Sequence, residues 1–206
     1  MFGCGKKRCS VRRGAFGGIR VDACARVKPG LGEAALAELA GSVMMSNGET
    51  LLDASRSRPL ALVFLRHFGC TFTRQILRSL ETIEAEARRM GADLVLVHML
   101  RSGSELSFLK GHNDVLRIAD PKCELYRAFG LGKGGVVELF GPRVIWLGAV
   151  SVFKGCGVGH LAGSGRQMPG AFLFHDGRIV SAQRAKTAAD LPDLPALFDS
   201  SKPVHG

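Results

Sequence analysis

The sequence predicts an α/β fold, and three observations point to it. Short continuous apolar runs recur from about Gly48 onward, stretches of helical periodicity lie between them, and Gly or Asp-Pro marks the joints. The first run, Pro59-Leu60-Ala61-Leu62-Val63-Phe64-Leu65, suits a strand over roughly 59–66 that is covered on both faces. Ile76, Leu77, Leu80, Ile83, Ala87 and Met90 then recur at helical spacing among Arg, Glu and Gln, which predicts a helix over roughly 71–90 ended by Gly91.

A second strand follows at 93–99, and Ser102 or Ser104 is placed to cap a short helix through Leu109-Lys110. Leu116 to Ala119 reads as another strand. Asp120 as N-cap and Pro121 at the first helical position start a helix through Phe129, stopped by Gly130. Parallel strands joined by right-handed crossovers are the economical topology for this order. The apolar segment 144–153 is about half the length of a membrane span and reads as buried core. Ala171 to Phe174, His175-Asp176-Gly177 and Ile179 to Ala182 form a hairpin signal, and an amphipathic helix is expected near Ala188–Phe198.

The 206-residue chain is 46% hydrophobic and 22% charged, ordinary for a globular protein, with a formal net charge of +10. Residues 1–43 hold eight Lys/Arg and three Asp/Glu, half of that excess. They are Gly-rich and basic, with an Ala-rich stretch from Leu31 to Leu39 of helical character. This part is expected to be a disordered or dispensable extension, with the folded domain at 44–206. It has no apolar signal-peptide core, so export by that route is not expected. No tight Lys/Arg block interleaved with aromatics appears, so nucleic acid is disfavoured as a partner, and no apolar run nears the ~20 residues of a membrane helix, so a membrane is not expected either. The cysteines at 4, 9, 24, 70, 123 and 156 contain no C-x-x-C, and their spacing fits neither a zinc site nor a disulfide scaffold. No metal and no cofactor are expected, and a reducing cytoplasm fits best.

The chemistry is expected at Cys70. It stands where the strand 59–66 turns into a helix, so unpaired N–H groups and the positive helix end meet its thiol and favour the thiolate. Arg66, His67 and Arg74 lie close in sequence and add candidate positive charge. The competing reading is a buried cysteine that only fills space.

Met168-Pro169-Gly170-Ala171-Phe172-Leu173-Phe174-His175-Asp176-Gly177 resembles the thioredoxin stretch in which a cis-proline precedes an edge hairpin ending in Phe-x-x-Gly. More closely, residues 45–198 are similar to the peroxiredoxin-like branch of the alkyl hydroperoxide reductase/thiol-specific antioxidant superfamily, including its selenoprotein L-like relatives. Phe64 to Phe72 resembles that branch's F-L-R-x-F-G-C-x-F-C-R. Ala119-Asp120-Pro121, Tyr126-Arg127-Ala128-Phe129-Gly130 and the tail Lys186 to Asp193 echo it.

The resemblance implies a thioredoxin-like fold, a central mixed sheet with helices on both faces, preceded here by the basic N-terminal extension as an addition. It implies that Pro169 sits against the active sulfur. It also implies an antioxidant oxidoreductase that reduces a peroxide or other small oxidant through Cys70. Two departures stand out. Thr73 replaces the branch's second redox cysteine, and Val63 and His67 replace the Pro and Thr/Ser of the usual P-x-x-x-[TS]-x-x-C frame. A resolving thiol would then come from Cys156, in the Gly-rich loop before Pro169, or from Cys123. Failing both, an external thiol of thioredoxin or glutathione type is required. Arg66, Arg74 and Arg166 are candidates to lower the Cys70 pKa or stabilise a peroxide or leaving oxygen, and His67 is a candidate hydrogen-bonding group. A homodimer is left open. Two other readings stand beside this one: a thiol–disulfide or endoperoxide reductase, and a degenerate thioredoxin-like binding module without turnover.

Overall fold

A computed structural model describes residues 12–13, 19–20, 30–109, 111–135, 141–153 and 164–198. Elements in chain order are β1 (Arg12–Arg13), β2 (Ile19–Arg20), α1 (Glu33–Ser42), α2 (Leu51–Ser57), β3 (Leu60–Phe64), α3 (Thr71–Arg78), α4 (Leu80–Arg89), β4 (Asp93–His98), α5 (Leu106–Leu109), β5 (Leu116–Ala119), α6 (Glu124–Ala128), α7 (Pro142–Phe153), β6 (Gly170–His175), β7 (Arg178–Arg184) and α8 (Leu194–Phe198). β1 and β2 pair with each other. The main sheet runs β5-β4-β3-β6-β7, with β3, β4 and β5 parallel and β6 and β7 antiparallel to their neighbours. This is the mixed sheet of a thioredoxin-like fold.

The period-two alternation of β3 divides the core. Leu60, Leu62 and Phe64 face one apolar cluster, which α1, α2 and α6 cover. Ala61, Val63 and Leu65 face the other, covered by α3, α4 and α8. Helices therefore lie on both faces, and the C-terminal ends of the three parallel strands open onto one edge. The β6–β7 turn is tight because Asp176 and Gly177 both take positive φ, 48° and 70°, as a two-residue hairpin demands.

Several elements differ from the sequence expectation. The packed unit does not begin at residue 44, because Leu36 and Ala40 of α1 are buried in the first cluster and Gly30 N–H bonds to Ala128 O. The helix over 71–90 divides at Ser79, whose N–H reaches both Gln75 and Ile76 carbonyls. Pro121 precedes α6 rather than opening it. Cys123 takes the left-handed conformation (φ 55°), and the Asp120 carboxylate accepts from the N–H groups of Glu124, Leu125 and Tyr126. Asp120 caps the helix across a longer turn than the spacing suggests. Segment 144–153 is helical in α7 rather than sealed core: Ile145 and Trp146 stand exposed while Val144 is buried. The helix expected over 188–198 shrinks to α8. Pro192 has no N–H to continue a helix, whereas Pro195 is tolerated in the first turn.

The burial of α1 gives a direct expectation. Leu36→Ala should cost about 2–5 kcal/mol, the usual range for a filled core position, read from urea or thermal unfolding. A change below about 0.5 kcal/mol would set α1 outside the core.

Candidate active site around Cys70

β3 ends at Phe64, and Leu65 N–H remains tied to Val97 O of β4. The chain then turns through 66–69, closed by Cys70 N–H to His67 O at 2.9 Å. Cys70 occupies the N-cap of α3 in extended conformation, and its carbonyl accepts the first helical bond from Arg74 N–H. Its side chain accepts nothing from the helix N–H groups. What meets the sulfur is Arg66.

Arg66 is buried at 8% exposure and folds back over the turn. Its Nη1 donates to Cys70 Sγ at 3.2 Å, its Nη2 to Gly165 O at 2.6 Å and its Nε to Gln167 O at 3.3 Å. One guanidinium thus ties the thiol to the loop before Pro169. The fork geometry matters, since a single planar group serves three acceptors in fixed directions. Among the described residues, the sulfur's other cluster neighbours are apolar. Cys70 is 6% exposed and clusters with Phe72, Val144, Met168, Ala188 and Ala189.

Gln167 anchors the other side of this clamp. It is 2% exposed, and its Nε2 donates to Leu131 O and Gly132 O, both at 3.1 Å, while Met168 N–H also bonds to Gly132 O. Sequence reading missed it. An uncharged amide in a Gly-rich stretch carries no signal, and its partners lie 35 and 36 residues away.

Beside the clamp is a cavity of about 70 Å³, room for a few water-sized atoms. Arg66, Thr73, Ile76, Pro169 to Ala171, Gln183, Arg184 and Asp190 are among the residues that line it. Cys70 does not itself line it. Thr73, 1% exposed, stands one helical turn from the sulfur where a partner thiol would stand in the resembling branch. Gly170 is closely hemmed in: an added Cβ would lie 2.8 Å from Leu131 Cδ2 and 3.1 Å from Gln183 O, so its neighbours would have to shift.

The sequence-derived candidates therefore separate. Cys70, Arg66, Thr73 and the loop carrying Pro169 come together. No described peptide bond is cis, so Pro169 follows a trans bond, unlike the resembling stretch. The backbone on either side of that bond is pinned, by Met168 N–H on Gly132 O and by Pro169 O, which accepts from Ala185 N–H. His67 supplies no positive charge at neutral pH. Burial, and then the Arg66 charge, hold its pKa at about 4, and its Nδ1 is buried without a hydrogen-bond partner. Arg74 is half-buried on α3. Arg166 is exposed, with Nε 3.4 Å from Gly134 O. Cys123 packs against the opposite face of the sheet from α3, and burial together with Asp120 pushes its thiol pKa up. A direct Cys70–Cys123 disulfide would need the backbone to move. Cys156 lies outside the described residues.

A second buried polar group sits behind the turn. Glu105, 3% exposed, accepts from Arg117 Nε at 3.0 Å and lies 3.9 Å from His98 Nε2, and the His98 ring stacks edge-on against Phe68. Burial lowers the His98 pKa. Burial pushes Glu105 up, but its backbone hydrogen bond and Arg117 outweigh that and hold it low. The signs agree. His67 and His98 are kept neutral in the fold, so their contribution is present above pH 6.5 and is lost as pH falls, through about 4 for His67. Glu105 loses its contribution on the same side. The urea midpoint should decline steadily from pH 6.5 to 4, and His67→Gln should flatten part of that decline. A level profile in wild type would contradict neutral buried imidazoles.

No family model and no curated protein matches the chain. Among solved structures it is similar to the bacterioferritin comigratory protein of Xanthomonas campestris, at 18% identity over 87% of this chain and 94% of that one, with a TM-score of 0.48. It is also similar to peroxidoxin BcpB of Mycobacterium tuberculosis, at 14% identity over 77% and 88%, TM-score 0.47. PrxQ of Xylella fastidiosa aligns at 16% identity over 92% and 91%, TM-score 0.45. At such identities and TM-scores these likenesses say nothing of the chemistry of any one residue.

Proposed function

We propose that this protein is a thiol-dependent oxidoreductase that reduces peroxides through Cys70. The observation that carries the proposal is the 3.2 Å hydrogen bond from the buried Arg66 guanidinium to the Cys70 sulfur. A charged donor on a thiol at a helix N-cap stabilises the ionised nucleophile, and charge-assisted hydrogen bonds are the stronger kind. Cys70 attacks one peroxide oxygen. An S–O bond forms, the O–O bond breaks, and the leaving alkoxide or hydroxide takes a proton from solvent. Sulfur is oxidised by two electrons to a sulfenic acid, while the peroxide becomes an alcohol or water.

Arg66 has five N–H donors, so capacity remains for the leaving oxygen. Thr73 and Pro169 line the cavity beside Arg66, and a small oxidant entering there has still to pass the clamp to reach the sulfur. Thr73 has no thiol, so the sulfenic acid condenses with an external thiol of thioredoxin or glutathione type, releasing water. A second thiol frees Cys70 by exchange. Cys156 and Cys123 stay as alternative resolving thiols. Arg74 and Arg166 stay as candidates for steadying a peroxide or leaving oxygen. No metal or cofactor enters the scheme, and the free thiols Cys70 and Cys123 suit a reducing cytoplasm.

One observation favours a second reading. Cys70 is buried in one cluster with Phe72, Val144, Met168 and Ala188, and it does not line the cavity. A thioredoxin-like binding module without turnover would look the same. The test is peroxide consumption with dimedone trapping: a sulfenic adduct at Cys70 supports the oxidoreductase, and an unlabelled Cys70 with no consumption supports the module.

A further inference from the structure

Four of the large apolar side chains that stand exposed gather round the turn carrying Cys70. Leu106 (41% exposed) and Phe108 (37%) on α5 flank one side, joined to the turn by the Phe108–Phe68 ring contact at 4.7 Å. Ile145 (63%) and Trp146 (70%) on α7 flank the other, where Val144 packs inward against the Cys70 cluster. Arg143 is the only charged residue of α7. A helix this apolar is normally buried all round, and here it shows two of its largest side chains to solvent.

Among the described residues, the exposed charged side chains of this edge are mostly cations. Arg101 follows β4 and is exposed. Lys133 and Arg166 are exposed on the paired segments that meet at the Lys133–Gln167 bridge, and Arg74 is half-buried in the first turn of α3. Three described carboxylates of this edge are held within the fold. Asp120 caps α6, Glu105 is bound by Arg117, and Asp190 accepts from the N–H groups of Lys186 and Thr187. Glu124 is exposed, next in the chain but one to Lys122.

We propose that this edge docks on an anionic lipid bilayer, with Trp146, Ile145 and Phe108 seated at headgroup level and the cations on lipid phosphates. A second copy fits less well, because a self-complementary contact would set the same cations against each other. The mix of Trp, Phe and Ile with Arg and Lys matches a membrane–water interface, and the net charge of +10 adds attraction over a Debye length. Two weak signals together, apolar insertion and cations, are what peripheral binding needs. The contact is superficial, since no helix among the described residues is long and apolar enough to cross a membrane. The sequence expectation of no membrane partner follows from the absence of a spanning run, and surface docking requires none.

Trp146 is the only tryptophan in the chain, so intrinsic fluorescence reports this face alone. The full-length protein is titrated with vesicles of phosphatidylcholine and of phosphatidylcholine mixed with phosphatidylglycerol, with co-sedimentation alongside. The expected result is a blue shift and co-sedimentation with the mixed vesicles, weakened at high salt. Ile145→Ser and Lys133→Glu, both at exposed positions, should each weaken the binding by roughly tenfold. Equal binding to both vesicle types, or binding to neither, overturns the proposal. A shift that grows with protein concentration without lipid assigns the face to a second copy, and a shift with polyglutamate but not vesicles assigns it to an acidic protein. Either outcome also overturns it. Peroxide turnover plays no part in these readings, so failure here leaves the thiol chemistry untouched.

Discussion

Cys70→Ser is expected to abolish peroxide consumption, a loss on the order of 10³-fold or more, as removal of a nucleophile produces. Serine keeps the shape of the N-cap and an acceptor for Arg66, so the fold should survive with a nearly unchanged unfolding transition. Loss of activity with retained stability separates chemistry from structure. The other described thiol gives an internal control. Cys123 packs on the far side of the sheet with its thiol pKa raised by burial and Asp120, so Cys123→Ser should leave consumption close to wild type. Full activity in Cys70→Ser would move the chemistry to another residue.

The second large effect is expected from Arg66→Met. It removes the charged donor on the sulfur, a contact of a type worth about 1.5–3 kcal/mol, so Cys70 should react with peroxide roughly 10–100-fold more slowly. It also leaves the Gly165 and Gln167 carbonyls without their guanidinium, at about 1–3 kcal/mol each where no water replaces it. Stability should fall as well, and Arg66→Lys discriminates between the two losses. Lysine restores a positive charge but not the planar fork, so it should recover part of the rate and little of the stability. A rate unchanged in both variants would show that Arg66 serves only to hold the loop.

The strand-to-helix junction at Cys70 is legible in the sequence because its signals are local. A continuous apolar run marks β3, helical periodicity marks α3 and α4, and Asp176-Gly177 marks the β6–β7 turn. The misreadings arise where local backbone geometry or distant partners decide. Asp120 caps α6 only because Cys123 adopts positive φ, which spacing does not reveal. Segment 144–153 is apolar enough for a core, yet α7 packs through Val144 and leaves Ile145 and Trp146 outside. α1 belongs to the core through Leu36 and Ala40, although the basic Gly-rich residues before it suggest a dispensable extension.

The site divides in the same way. Cys70 and Arg66 stand four residues apart, and their contact is foreseeable. The Arg66 bonds to Gly165 and Gln167 span 99 and 101 residues, and they make the clamp. His67 shows the opposite case, since proximity in sequence suggests a helpful cation and burial makes it neutral. The His98–Glu105–Arg117 group is likewise invisible in the sequence, because its members come from separate elements.

The central claim is that one buried guanidinium prepares one sulfur for oxidation. Its most direct test is mass-mapped dimedone trapping after a brief exposure of wild type and Arg66→Met to peroxide. The account predicts a rapid sulfenic adduct confined to Cys70 in wild type and a roughly tenfold or greater delay in the variant. An unlabelled Cys70, or equal rates in the two proteins, would contradict it.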